Sequence, residues 1–578
     1  MAESDLVRTK GTTPVRRRPS AGFVTFYSVF PGFGAFAPHP RRNHAESRLM
    51  IATSTTTSRG SGPRIGIVGA GPGGLATAML LAHAGADVTI HEAQPIIGGR
   101  TRRITMGDFA FDTGPTFFMM PWVLEEIFSA VGRRLQDHAD LHRLDPMYRL
   151  MIGRPDADPL TIDATQDVDR MAATLDAIEP GDGAAFRRFM RDNRRKLELM
   201  TPILRKPIRS LFDLATWDAM KVAPTLKPWQ SVHSNLSTYF RNEHVRLALS
   251  FQSKYLGMSP FECPGLFSIL PFIEYEYGVW HPRGGCNALM DAMAEVFVEL
   301  GGRIHTADPV AGIEFDGRRA TGLRTASGLH HYDEVVVNAD ATWAMKNLVP
   351  APLRRKWTDA RIDSKKYSCS TFMLYLGIDG EVDLPHHTIY TSTRYTENLA
   401  DIGAGRLTED ASTYVNNPSR IDPSLAPKNA SSLYVLVPTP NDAAGPDWNE
   451  AGPTYREATL DRLGDVFGIE DIRRRICVEK MVTPADWRNE RINLGATFNL
   501  AHGLDQMLHR RPQHRLEDVD GVWLVGGGTH PGSGLPVIFL SSQITADLLC
   551  RERGLDAPTA WSPPDGASSI PRPEAVSV

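Results

Sequence analysis

Apolar and polar positions along the chain outline its first unit. Arg64 to Gly69 is a short apolar run that enters glycines, Leu75 to Ala84 is rich in alanine and leucine, and Asp87 to His91 is apolar again. The pattern predicts a strand, a helix and a strand, one β-α-β unit. From about Ala184 to Leu249 the period turns helical and basic, with Arg187, Arg188, Arg191, Arg194, Arg195 and Lys196 ahead of an interrupted stretch of Leu, Phe, Trp and Pro. Strands return at Arg303 to His305, Glu334 to Asn338, Cys369 to Gly377 and Ser432 to Val437, and Gly521 to Leu549 reads as strand, glycine loop and helix. With strand-loop-helix patterns at both ends, the chain is expected to leave its first domain and return to it. No internal repeat is visible.

Residues 1–63 are rich in Ser, Thr, Pro and Arg without a sustained period, and are expected to be a disordered extension. A transit-like leader and a mis-set start ahead of Met50 both fit this segment. The proline-rich end, residues 553–578, is likewise expected to be a disordered tail. The 578 residues allow about three domains, or one large enzyme body with a lid, and 42% hydrophobic with 22% charged residues suffices for a large core. A net charge of −4 argues against a nucleic-acid partner, which calls for concentrated Lys and Arg. Cys263, Cys286, Cys369, Cys477 and Cys550 have no C-x-x-C spacing, so neither a disulfide framework nor a metal site is expected. No apolar run is long enough to span a membrane; Gly22 to Pro38 is short and broken by Pro31.

Val68-Gly69-Ala70-Gly71-Pro72-Gly73-Gly74 follows a strand and opens a helix, the context in which G-x-G-x-x-G binds a dinucleotide. Gly69 allows the tight turn, Gly71 lets a pyrophosphate approach the backbone, and Gly74 lets helix pack on strand, while the helix N-terminus offers amides and partial positive charge. Glu92, 18 residues after Gly74 at the end of the next strand, is where an acceptor for ribose hydroxyls belongs. Gly98-Gly99-Arg100 would pass close to the diphosphate, with Arg100 neutralising it; a solvated surface arginine is the alternative. Phe111-Asp112-Thr113-Gly114-Pro115-Thr116 is a turn of small residues suited to lying against a flat ring. The loop from Trp523 to Pro536, through Gly526-Gly527-Gly528, can bring backbone amides to the pyrimidine side of a flavin, where reduction places negative charge. His530 in that loop is catalytic or, more simply, a structural turn residue. No second G-x-G-x-x-G follows a strand, so one tightly held dinucleotide is expected and its oxidant must arrive separately.

Taken together, Gly69 to Gly74, Gly98-Gly99-Arg100, Phe111 to Thr116, Gly278 to Gly285, Asp422-Pro423-Ser424-Leu425-Ala426-Pro427, Thr483-Pro484-Ala485-Asp486-Trp487 and Thr529-His530-Pro531-Gly532 resemble the bacterial phytoene desaturase family of carotenoid dehydrogenases. The resemblance covers about residues 64–550. It implies an α/β protein: a discontinuous Rossmann-type FAD-binding domain (64–150, 276–345 and 486–552), a helical substrate and membrane-associating region (151–275) and a mixed-sheet substrate domain (346–485). The implied activity is FAD-dependent introduction of double bonds into a linear polyisoprenoid, phytoene to neurosporene or lycopene type products, or diapophytoene. The cofactor set becomes Gly69, Gly71, Gly73, Gly74, Glu92, Gly98, Gly99, Arg100, Val310, Gly526, Gly527, Gly528, Pro536 and Val537, with Val310 meeting adenine by resemblance alone. Val537-Ile538-Phe539-Leu540-Ser541-Ser542-Gln543 departs from the family's small-residue stretch and looks closer to members acting on C30 diapocarotenoids. Asp218 and Lys221, three residues apart on one helical face, stand by resemblance near an Asp and Arg pair suspected of catalysis, with membrane-surface charges as the other reading.

A polyene without polar handles lives in lipid, so a greasy entrance against the bilayer is expected at Pro202 to Trp229. Ile203, Leu204, Ile208, Leu211, Phe212, Leu214, Trp217 and Trp229 would enter the interface. Arg205, Lys206, Arg209, Lys221 and Lys227 would meet anionic head groups at about 1 kcal/mol each. The expected partners are the lipophilic substrate, the cytoplasmic face of a membrane bound peripherally, and an external acceptor such as oxygen or quinone. Other readings are a hydroxysqualene dehydroxylase, a polyene saturase, an amine oxidase, for which neither an aromatic cage nor a flavin-side lysine is identifiable, and a prenyl-binding escort protein. Flavin absorbance separates the escort reading from the rest.

Overall fold

The computed structural model describes residues 62–443 and 445–558. The expected disorder at 1–61 and 559–578 lies outside them. Five parallel strands form the first sheet: β1 (Arg64–Val68), β2 (Asp87–His91), β3 (Arg303–His305), β4 (Glu334–Val337) and β5 (Val522–Leu524), in spatial order β5-β4-β1-β2-β3. Helices cover both faces of such a sheet, which is why Ile65, Ile67, Val88, Ile90, Val335 and Val336 are almost fully buried and the strands read as continuous apolar runs. α1 (Pro72–His83) follows β1, and α2 (Leu535–Arg553) packs beside it, with Ser542 Oγ donating to the Gly73 carbonyl at 3.0 Å. A tail boundary at 553 is too early: Leu555 and Ala557 pack on the same core as α2.

The second sheet has seven strands, in order Ile476–Val482, Ser370–Asp379, Ala430–Thr439, Thr413–Asn416, His387–Thr391, Tyr148–Arg154 and Ala157–Ala164. All neighbours are antiparallel except His387–Thr391 with Tyr148–Arg154, so the sheet is mixed. Two sequence-based boundaries are corrected. A division at 150 would cut the strand Tyr148–Arg154, which with its hairpin partner completes the sheet otherwise built from 346–485. A division at 345 would cut the helix Ala341–Leu348. Between 182 and 248 lie the helices Asp182–Leu204, Trp217–Leu226, Val232–Leu236 and Glu243–Ala248; Phe186, Phe189, Leu236 and Val245 from the first, third and fourth form a core with Phe272 and Tyr275. No helix among the described residues is long and apolar enough to cross a membrane.

Candidate active site

A cavity of about 1780 Å³ runs between the two sheets. Small-molecule sites commonly measure roughly 300–1,000 Å³, so this one has room for a dinucleotide and a second molecule. Gly69, Gly71 and Gly99 line one end, beside the N-terminus of α1. Gly69 adopts φ +95°, and a Cβ there would sit 2.7 Å from the Asn338 carbonyl oxygen. Asn338 Nδ2 donates to the Gly69 carbonyl at 3.1 Å and pins the turn. Gly71 is the N-cap of α1 and no side chain caps the first turn, so free amides and the helix dipole face the space where a diphosphate would lie. A Cβ on Gly99 would stand 3.2 Å from the Gly71 Cα. The two glycines thus form a cradle that any side chain would fill, and the site fits an anionic dinucleotide.

Glu92 is 6% exposed and lines the same end. Its Oε2 accepts from Ala70 N at 2.7 Å and its Oε1 from Gln94 N at 2.8 Å, which orients the carboxylate and leaves each oxygen a lone pair. Burial pushes its pKa up against those two hydrogen bonds. Val310, first residue of a three-stranded meander, also reaches the cavity. Thr113 to Thr116 and Gly526, Gly527 and Pro536 also line the cavity. Arg511, fully buried, clamps this glycine loop by donating to the carbonyls of Gly527 (2.8 Å), Thr529 (3.1 Å) and Leu500 (3.3 Å). Desolvation lowers its pKa to about 10, so it stays charged.

The expected set divides in two. Gly69, Gly71, Glu92, Gly99, Arg100, Val310, Gly526, Gly527 and Pro536 line the cavity; Gly73, Gly74, Gly98, Gly528 and Val537 do not. Gly73 and Gly74 are packing glycines: a Cβ on Gly74 would lie 2.2 Å from the Gly69 carbonyl oxygen, and one on Gly73 2.7 Å from Asn338 Oδ1. A Cβ on Gly528 would meet Ala341 at 3.0 Å, and Gly98 turns at φ +107° behind Gly99. Arg100 does line the cavity, but its guanidinium donates to the Thr497 carbonyl and to Asn499 Oδ1 (3.2 Å), bracing the 497–499 loop. His530 does not line it; the side chain is buried, with Nε2 on the Lys206 carbonyl at 3.2 Å, and burial lowers its pKa to about 4.

Lys221, of the catalytic pair expected on Trp217–Leu226, is not brought to the cavity. Lys221 is exposed, its ammonium 5.8 Å from the Trp217 ring centroid, because this helix buries Val222 and turns Lys221 outward. The Asp218 side chain lies outside the described residues. Two residues assigned to the lipid interface also turn inward: Ile208 is 2% exposed, and Arg205 holds Glu126 at 2.7 and 2.9 Å.

Sequence reasoning missed polar groups on the cavity wall. Lys254 is there, 4.6 Å over the Tyr395 ring, and burial lowers its pKa to about 7. Behind the wall, Glu274 accepts from Tyr148 Oη (2.9 Å) and Gln252 Nε2 (2.9 Å), and burial raises it to about 7. The recurring motifs converge on one junction. Asp112 accepts from Cys286 N (2.9 Å) and Asn287 N (3.1 Å), Asp422 accepts from Gly284 N (2.6 Å), and Thr116 meets Tyr414 Oη (2.6 Å). The only signal in the sequence was that these motifs were rich in turn formers; nothing there says which of them touch.

A parallel nucleotide sheet with a glycine-framed helix N-terminus and a second glycine loop, both on one large cavity, defines a dinucleotide-dependent oxidoreductase. The chain belongs to the flavin-containing amine oxidoreductase family, whose profile matches residues 72–550, and within it to the bacterial carotenoid desaturases. It is an FAD-dependent enzyme acting on CH-CH bonds. Over 489 residues it is 44% identical to a 4,4'-diapophytoene desaturase (4,4'-diapolycopene-forming) of Methylomonas sp, a match spanning 84% of this chain and 95% of that one. It is 40% identical to an all-trans-zeta-carotene desaturase of Myxococcus xanthus, over 87% of this chain and 96% of the relative. Its fold is similar to that of an oxidoreductase from Methanosarcina mazei, with a TM-score of 0.56 and 18% identity over 84% of this chain and 100% of the other.

Proposed function

We propose that this enzyme introduces double bonds into a linear C30 polyisoprene of the diapophytoene type. The observation that carries the reading is one cavity whose lining includes both the glycine cradle and a largely apolar set of side chains with Pro228 and Trp229 among them. The Val537 to Gln543 stretch and the 44% identical relative support the C30 length. When bound, FAD supplies the hydride acceptor for a C–H bond flanked by double bonds. The first turn of α1 and Gly99 would hold the diphosphate, Glu92 the adenosine ribose, and Gly526, Gly527 and Pro536 the ring end. Phe117, Met119, Phe251, Met258, Ile389 and Leu436 give the substrate a dry wall and exclude water from the reacting carbons.

The same reading places the enzyme on a membrane surface. Trp229 is 78% exposed yet lines the cavity, and Phe212 (89%) and Trp217 (68%) are exposed in the same helical region. Large apolar groups are seldom left in water in this number, and Lys206, Arg209 and Lys221 beside them suit anionic head groups. The electron acceptor that recycles the flavin is a lipid-phase or dissolved oxidant, oxygen or quinone. Incubating the holoprotein in liposomes with diapophytoene and, separately, phytoene tests the reading. A red-shifted polyene from diapophytoene is expected; bound flavin with no red-shifted product from either overturns it.

A further inference from the structure

A chain of buried polar side chains leads away from the cavity wall. At the cavity wall, Thr116 Oγ1 lies 2.6 Å from Tyr414 Oη, which lies 2.6 Å from His387 Nδ1. His387 Nε2 is 2.8 Å from His386 Nδ1, His386 Nε2 is 3.2 Å from His281 Nδ1, and His281 Nε2 is 3.2 Å from Asp422 Oδ2. The three imidazoles and Asp422 are each at most 5% exposed. The far end approaches the surface: Asp422 sits under the Gly284 turn beside exposed Arg283, and exposed His142 is the cross-strand partner of His281.

The ends of this chain fix its direction. Asp422 is held well below the usual carboxylate range although burial opposes it, because His281, Ser424 and the Gly284 amide all donate to it. It is therefore an acceptor, and a neutral His281 donates to it through Nε2 and accepts at Nδ1. A neutral imidazole has one donor and one acceptor, so His386 must then donate through Nε2 and accept at Nδ1, and His387 likewise. Burial and the neighbouring rings keep His386 and His387 neutral. Tyr414 is left with one role, donating its O–H to His387. Every proton in the chain points from the cavity toward Asp422.

We propose that Tyr414, His387, His386, His281 and Asp422 form a one-way relay that carries off the proton released when the substrate loses two hydrogens. This rests on the desaturation reading. Bound flavin, the oxidant of that reaction, would take the first hydrogen with its electron pair. The neighbouring C–H bond then breaks, its electrons become the new C=C bond, and its proton goes to the Tyr414 oxygen as the original hydroxyl proton passes to His387 Nδ1. Each histidine takes a proton at Nδ1 and gives one up at Nε2, so all three end neutral and one net proton reaches Asp422, which, favoured as carboxylate, gives it up again toward the nearby surface. A relay suits a wall of this kind, because a permanently charged base beside an apolar chain would have to be desolvated.

Two measurements test this. Nitrogen-15 NMR of histidine-labelled holoprotein, read without turnover, is expected to show His281, His386 and His387 all as Nε2–H tautomers; a proton on Nδ1 of His387 overturns the proposal. His386→Gln keeps a donor and an acceptor but cannot pass a proton, and His386 lies behind the cavity wall. Flavin occupancy and KM are expected to stay near wild type, kcat to fall about a hundredfold, and the curved dependence of kcat on D2O fraction to become linear. Unchanged kcat and curvature overturn the relay, and Tyr414→Phe, expected to show the same kcat loss, decides the matter if His386→Gln does not fold. A wild type that forms no product would defeat the desaturation reading instead, while the tautomers still judge the relay.

Discussion

Glu92→Ala should weaken the protein in two separable ways. The carboxylate accepts from Ala70 N at 2.7 Å and Gln94 N at 2.8 Å, and Ala70 is fully buried. Removing it leaves the Ala70 amide without an acceptor where water cannot replace one, at a cost of about 1–3 kcal/mol to the flavin-free fold. The Gln94 amide is only half-buried and rehydrates, so it adds little. Binding suffers separately. A ribose hydroxyl donating to a charged acceptor contributes about 1.5–3 kcal/mol, and at about 1.4 kcal/mol per decade the FAD dissociation constant should rise about 10- to 100-fold. Denaturant unfolding of the flavin-free protein reads the first effect, and titration calorimetry of FAD into it reads the second. A dissociation constant changed less than about threefold, with stability lowered, would mean that Glu92 only braces the turn, and the ribose assignment would be refuted.

Asp112 gives a pH prediction. Burial raises its pKa to about 6, against about 3.9 in an unfolded chain, so the folded state retains a proton that the unfolded state has lost. Its contribution to stability is therefore full below about pH 4 and lost as pH rises through about 6, amounting to about 3 kcal/mol for a two-unit shift. Asp112→Asn should flatten that limb of the stability profile measured by urea unfolding between pH 4 and 7.5; an unaltered slope would contradict the assignment. At the proposed membrane face, replacing Phe212, Trp217 and Trp229 together with serine removes side chains whose burial is worth about 1.5–3 kcal/mol each. Liposome cosedimentation should drop at least tenfold with flavin content unchanged, and undiminished sedimentation would rule this surface out.

The β-α-β unit, the two glycine loops and the place of Glu92 were legible in the sequence because each depends on a few neighbouring residues. A glycine at φ +95° and an acid at the end of the next strand need only local chain geometry. The family resemblance extended that reading to FAD and to polyene desaturation. Tertiary structure alone decided how the parts meet. Strands from 64–91, 303–337 and 522–524 make one sheet, and the strand at 148–154 joins a sheet that helices at 182–248 separate from it in sequence. It also decided that Lys221 faces outward, that Gly73 and Gly74 pack rather than line the cavity, and that His281, 141 residues from Asp422, donates to it. Periodicity along a chain says that a residue is buried; which distant partner it meets depends on the register and crossing of elements, and hydrogen-bond chains such as the one ending at Asp422 exist only at that level.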